Sequence, residues 1–194
     1  MKGCRPLTDQ EVDLVAKTFG GKYGDRDRAL FLLGVKSGFR VSELLSLRLG
    51  DVVQSGRLVD KVTVSRRNMK KKTEGRTVLL HPVAKTALIA WIDELKADGY
   101  MTTDTFVFQS RKGQNRPVSR VHAWRVLEEA YGSNEMTGKL GTHSMRKTFA
   151  NKVYDALGRD LVKTQRALGH RNINSTVQYL SFREEDIDAA ILAI

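Results

Sequence analysis

Cysteine is nearly absent from this chain: Cys4 stands alone, which excludes an internal disulfide framework and any multi-cysteine zinc site and suits a reducing compartment. No apolar run approaches the ~20 residues a helix needs to cross a bilayer. The opening MKGCRPLTDQE also lacks the apolar core of a signal peptide. A cytoplasmic protein without membrane association is expected. Missing too are a phosphate-cradling glycine loop of the nucleoside-triphosphatase type and any His/Cys cluster at zinc-ligand spacing. The chain has no internal repeat, low-complexity segment or long linker.

What is present is positive charge. Lys and Arg number 33 against 22 Asp and Glu, a formal net charge of +11 in 194 residues. Such an excess favours a polyanionic partner, because each nucleic-acid phosphate neutralised releases condensed counterion. The length fits one domain, and 41% hydrophobic content is enough to fill its core.

The elements can be placed in order. Thr8 and Glu11 form a capping-box pair ahead of Val12, Leu14, Val15 and Phe19, an apolar face that Gly20-Gly21 ends. A second helix is expected over about 26–36, with its exit at Ser37-Gly38. FRVSELLSLRLGDV then offers Leu44, Leu45, Leu47 and Leu49 as the buried stripe of a third. Leu58–Val64 and Arg76–Leu80 read as a strand pair joined by a very basic connection, Ser65–Gly75. Pro82 starts a helix whose inner face is Val83, Ala87, Leu88, Trp91, Ile92 and Leu95, with Trp91 read as core. A basic loop containing Arg111, Lys112 and Arg116 leads to Ser119, the cap of a helix through Tyr131. Further helices are expected near 144–157, 160–168 and 174–181, punctuated by Gly158 and Gly169. The tail REEDIDAAILAI reads as one more, with a side that must be buried somewhere.

Gly141–Leu180 carries the chemistry. His143 and Arg146 are three apart and project from one helix face, while His170 and Tyr179 follow further on. Taken singly, a histidine near a helix end is a cap or surface group and a tyrosine is packing. Arg40 alone can be read equally as a salt bridge to Glu43 or as an anion ligand that Glu43 supports from behind. Jointly, two arginines, two histidines and a lysine would favour negative charge building up on a phosphate, and a tyrosine would supply the attacking oxygen. Lys70, Lys71 and Lys72 read by default as a solvated hairpin tip on the DNA backbone. Arg111, Lys112, Arg116 and Arg120 read as nonspecific phosphate contacts.

SGFRVSELLSL, the Lys72-Thr73 pair, THSMRKTFA and LGHRNINSTVQYL together resemble the catalytic domain of the tyrosine recombinase, or phage integrase, family. The resemblance runs from LTDQE to Tyr179 and agrees in residue type, order and spacing over four stretches. It implies an α+β fold, mainly α-helical with a small antiparallel sheet, of the DNA breaking-rejoining kind, occupying 1–194, with a tail helix at 183–194 that can be exchanged between protomers. It further implies Arg40 and Arg146 as catalytic arginines, Glu43 as supporter of the first, and Lys72 as hairpin lysine, with Lys71 the runner-up. His143 and His170 become the two histidines and Tyr179 the nucleophile. A phenol of pKa ~10 needs a base and a cationic cradle to attack at neutral pH. The resulting 3′-phosphotyrosyl link keeps the energy of the broken bond, so neither cofactor nor metal is expected. Double-stranded DNA is the implied partner, with self-association on it as dimer or tetramer and accessory DNA-bending proteins alongside.

Only a handful of residues precede the first helix, where family integrases normally carry a DNA-clamping domain. In length the chain is similar to the fimbrial inverting recombinases. Two alternatives stand beside this reading: a type IB topoisomerase-like relaxing enzyme, which uses the same residue kinds, and a catalytically silent DNA-binding regulator that keeps the fold and works by occupying recombination sites.

Overall fold

A computed structural model describes residues 3–64, 76–100, 102–180, 188 and 191–193. Lys70, Lys71 and Lys72 lie outside the described residues, as does the tail over 183–194 apart from 188 and 191–193. The chain divides into two compact units, 1–149 and 150–194.

In the first unit, α1 (Asp9–Thr18) begins at the expected capping box: Thr8 Oγ1 accepts from Glu11 N at 3.2 Å and Glu11 Oε2 accepts from Thr8 N at 2.8 Å. Val12, Val15 and Phe19 are buried, but Leu14 is 50% exposed. Its position falls off the stripe that the other three share. Helix α2 (Gly24–Ser37) is the unit's centre, buried almost all round from Ala29 to Val35 and packed on α1 and α5 (Pro82–Ala97). Burying a side chain such as Leu30, Phe31 or Leu33 contributes about 1.5–3 kcal/mol. Along α5 the inner face is Ala84, Ala87, Leu88, Trp91, Ile92 and Leu95, and Val83 points outward instead of in. Trp91 is core, its Nε1 donating to Val107 O at 2.6 Å.

The expected third helix is two single turns, α3 (Val41–Leu44) and α4 (Leu49–Val52). All four leucines are buried as expected. Between the turns, backbone groups that would have made helix bonds are engaged by the 103–107 segment: Leu47 O accepts from Val107 N at 2.9 Å, and Leu49 N donates to Thr105 O at 2.8 Å. Arg48 is extended there and lies over the Phe106 ring at 4.3 Å.

Strands β3 (Lys61–Val64) and β4 (Arg76–Leu79) pair antiparallel with Val64 opposite Arg76. Leu58 belongs to a separate two-residue hairpin, β1 (Val53–Gln54) with β2 (Arg57–Leu58), turned through Ser55-Gly56. Both turn residues have positive φ, the backbone such short hairpins require. Helix α6 (Arg120–Ser133) starts at Ser119, whose Oγ accepts from His122 N at 3.1 Å.

Helix α7 (Thr142–Ala156) supplies its first eight residues to the first unit and the remainder to the second. The second unit continues with α8 (Leu161–Leu168), capped by Asp160 and ended by the left-handed Gly169. Helix α9 (Ile173–Val177), capped by Asn172, packs on α8. It is shorter than expected: Tyr179 and Leu180 follow it in tight turns, their N–H groups bonded to Thr176 O and Val177 O.

Candidate active site

The first unit's site begins where α2 stops. Gly38 takes φ 61°, ψ 23°, a left-handed exit, and its N–H donates to Gly34 O at 3.1 Å. A Cβ here would overlap the Phe149 ring, so glycine is required twice over. The turn buries Phe39 and delivers Arg40 in extended backbone as the N-cap of α3. Glu43, 3% exposed, then binds Arg40 twice: Oε2 accepts from Arg40 N at 2.8 Å and Oε1 from Nη1 at 2.9 Å. The ion pair read from the sequence is therefore formed, and Arg40 also lines a cleft.

Opposite stands α7. It approaches α2 closely because Gly34 has no side chain: a Cβ there would lie 2.6 Å from Met145 Sδ. Thr148, buried, accepts from Leu7 N and donates to Ser144 O, both at 2.8 Å. With α7 so fixed, Arg146 is buried to 1% exposure and its Nη1 donates to Gly38 O. His143 lies one turn earlier on the same face. Arg40, Arg146, His143, Thr142, Val41, Ser42 and Arg120 line a cleft of about 190 Å³. That exceeds several waters at about 30 Å³ each, so a phosphate-sized group can enter.

The charges of the cleft act on His143. Partial burial, then the cations Arg146, Arg40 and Lys147, hold its imidazole below the usual value. It is neutral at pH 7 and can accept a proton.

In the second unit, His170 is buried with Nδ1 2.9 Å from Thr176 Oγ1. Gln165 Nε2 donates to His170 O at 3.0 Å and to Arg171 O at 3.1 Å, which holds the turn after Gly169. The Tyr179 ring meets the His170 ring at 5.3 Å between centroids, tilted by 44°. Asn151 Nδ2 donates to Tyr179 O at 3.1 Å.

The phage integrase family model matches residues 6–185. The chain belongs to the phage integrase family. Relatives of this family member include the probable integrase/recombinase YoeC of Bacillus subtilis, 30% identical over 186 residues that cover 96% of this chain and 94% of YoeC. The type 1 fimbriae regulatory protein FimE of Escherichia coli is 30% identical over 185 residues, 92% of this chain and 86% of FimE. A crystal structure of the XerH site-specific recombinase bound to a palindromic difH substrate after cleavage has TM-score 0.74 at 21% identity, covering 96% of this chain and 51% of that one. That likeness shows the fold, mainly helical with small antiparallel sheets. The chain spans about half the length of the XerC recombinases it matches.

Of the residues singled out in sequence, the first unit brings Arg40, His143, Arg146 and Arg120 to one cleft, with Glu43 paired to Arg40. The second unit brings His170 and Tyr179 into ring contact. Arg111, Lys112 and Arg116 are exposed on a shaped loop closed by the Gln109–Pro117 bridge and the Ser110 N to Arg116 O bond of 2.7 Å. Lys72 and its neighbours fall outside the described residues. One residue that shares a backbone acceptor with Arg146 was not singled out as a site candidate. Arg76, noted in sequence only as a strand start, sends both guanidinium ends to the Ser37 and Gly38 carbonyls. Residue identity does not reveal these bonds, because the acceptors are main-chain oxygens 38 and 39 positions away. Among the described residues, no group of three or more His, Cys, Asp or Glu could hold a metal ion, and no helix is long and apolar enough to cross a membrane.

Proposed function

We propose that this chain cuts and rejoins DNA strands at a specific site through a 3′-phosphotyrosyl intermediate on Tyr179. The observation that carries the proposal is the cleft, where Arg40, Arg120, Arg146 and a neutral histidine line one phosphate-sized space and a buried carboxylate holds the Arg40 guanidinium in place.

His143 takes the phenolic proton as Tyr179 Oη attacks phosphorus. Arg40 and Arg146 hold the nonbridging oxygens, whose charge grows in the pentavalent transition state. As the P–O5′ bond breaks, Lys72 protonates the leaving oxygen, with Lys71 the alternative donor. His170 donates a hydrogen bond to the phosphate. Rejoining is the reverse, a 5′-hydroxyl attacking the phosphotyrosine and the phenol regaining its proton. The ester keeps the energy of the original bond, so no external energy source enters.

The solved relative bound to its difH substrate supports DNA as the partner. Arg111, Lys112, Arg116 and Arg120, all exposed, would meet backbone phosphates. Association on DNA as a dimer or tetramer, exchange of the 183–194 tail, help from DNA-bending proteins and action in the cytoplasm belong to the same proposal.

A nicked suicide duplex tests it. Wild-type protein should accumulate a covalent complex, and Tyr179→Phe should bind the DNA and accumulate none. Trapping by the Phe variant would refute the nucleophile. Plasmid relaxation without recombinant products would move the assignment to a type IB topoisomerase, and binding without trapping to a regulator.

A further inference from the structure

Arg76 takes no part in the strand-cleavage mechanism, yet it sits behind the two arginines that do. It is the first residue of β4, and its side chain reaches the end of α2: Nη2 donates to Ser37 O at 2.8 Å and Nη1 to Gly38 O at 3.1 Å. The guanidinium also lies against two rings, 5.3 Å from the centroid of Phe39 and 5.9 Å from that of Phe149. Gly38 O thus receives two guanidiniums, because Arg146 donates to the same oxygen. These carbonyls belong to the last turn of α2, where helix geometry leaves acceptors without intrahelical donors.

Crowding two cations on one carbonyl is unfavourable. Burial first, and then the Arg146 charge, push Arg76 down to about 9, so it remains protonated at neutral pH and repels its neighbour. Apolar side chains of similar volume commonly replace buried charges with no loss of stability. What the charge and its fork do obtain is geometric. Phe39 and Arg40 follow directly on the clamped turn, and the clamped oxygen is the one that aims Arg146.

We propose that Arg76 is a positioning residue for strand cleavage: its two-pronged clamp on the Ser37 and Gly38 carbonyls sets the turn that presents Arg40 and fixes the acceptor that orients Arg146. Arg76 does not touch the phosphate itself. The proposal rests on the phosphotyrosyl mechanism. It depends on the planar fork more than on the charge, since a lysine ammonium lacks the two separated donors that reach both carbonyls.

The test compares Arg76→Gln and Arg76→Lys with wild type in the full chain. The probe is a nicked duplex of the sequence that wild-type protein captures covalently. DNA affinity and the single-turnover rate of adduct formation at saturating DNA are measured separately. Both variants should melt cooperatively, bind within about threefold of wild type, and form adduct roughly 10–100-fold more slowly, the loss expected when reacting groups are misplaced by about an ångström. In an Arg146→Lys background, adding Arg76→Lys should cost less than about threefold more, because the two act through one oxygen.

A full rate for Arg76→Lys would overturn the clamp, since charge would suffice. So would a wild-type rate at saturating DNA combined with weak binding, which would make Arg76 a phosphate contact. Loss of cooperative melting in both variants would assign it to the fold, and full additivity with Arg146→Lys would separate it from the cleft. If wild-type protein forms no adduct, the phosphotyrosyl mechanism fails and takes the clamp's role with it. If wild type reacts and the Arg76 variants match it, only the clamp fails.

Discussion

Replacing Gly38 by alanine should strike fold and cleft together, and its size can be worked from the backbone. The residue sits at φ 61°, where a Cβ costs about 1–2 kcal/mol in any L-residue. That Cβ would overlap Phe149 Cδ1 and stand 2.8 Å from Cγ and 2.9 Å from Cε1. Relief requires the ring to move, an overpacking cost of about 1–3 kcal/mol. The expected destabilisation is therefore about 2–5 kcal/mol. Gly21→Ala provides the control, with φ 72° and nothing within 4 Å of its Cβ, so only the backbone cost of about 1–2 kcal/mol applies. Urea unfolding followed by tryptophan fluorescence measures both, since Trp91 and Trp124 lie in the same unit as the two glycines. Truncating the ring as Phe149→Leu should recover about 1–2 kcal/mol of the Gly38→Ala loss in a double-mutant cycle. Equal costs for Gly38→Ala and Gly21→Ala would refute the close-approach argument.

Three further outcomes are expected. His143 titrates below its ordinary value, so the neutral base persists as pH falls through 6.5; the acid limb of the second-order cleavage rate should have its midpoint below 6.5, and a midpoint at or above it would contradict the assigned environment. Glu43→Ala removes two bonds to Arg40, one of them an ion pair with a guanidinium about one-third exposed, and should cost about 1.5–3 kcal/mol in urea and slow adduct formation with little change in DNA affinity. Thr8→Ala deletes the α1 cap and should cost about 1 kcal/mol, read as a lower urea midpoint at constant slope; an unchanged midpoint would show that the cap adds nothing.

Local chemistry was legible in the chain because it depends on short spacings. The Thr8–Glu11 box, the Ser37-Gly38 exit, the Arg40–Glu43 pair and the His143–Arg146 face each lie within four residues, where helix geometry makes neighbours calculable. What escaped was set by distant backbone. The 103–107 segment pairs with Leu47 and Leu49 and divides one leucine-rich stripe into two turns. Ser55-Gly56 folds back a hairpin of two-residue strands, too short for alternation to reveal. Leu14 and Val83 are apolar beside a true stripe but outside its arc. Arg76 was hidden for the same reason, since carbonyl oxygens leave no mark on residue identity.

The most direct measurement is the identity of the side chain joined to DNA. Wild-type protein, trapped on a nicked duplex and digested with protease and nuclease, should yield one modified peptide by tandem mass spectrometry, its added mass a 3′-linked nucleotide on Tyr179. An adduct on any other residue, or none from protein that binds and folds normally, would contradict the account.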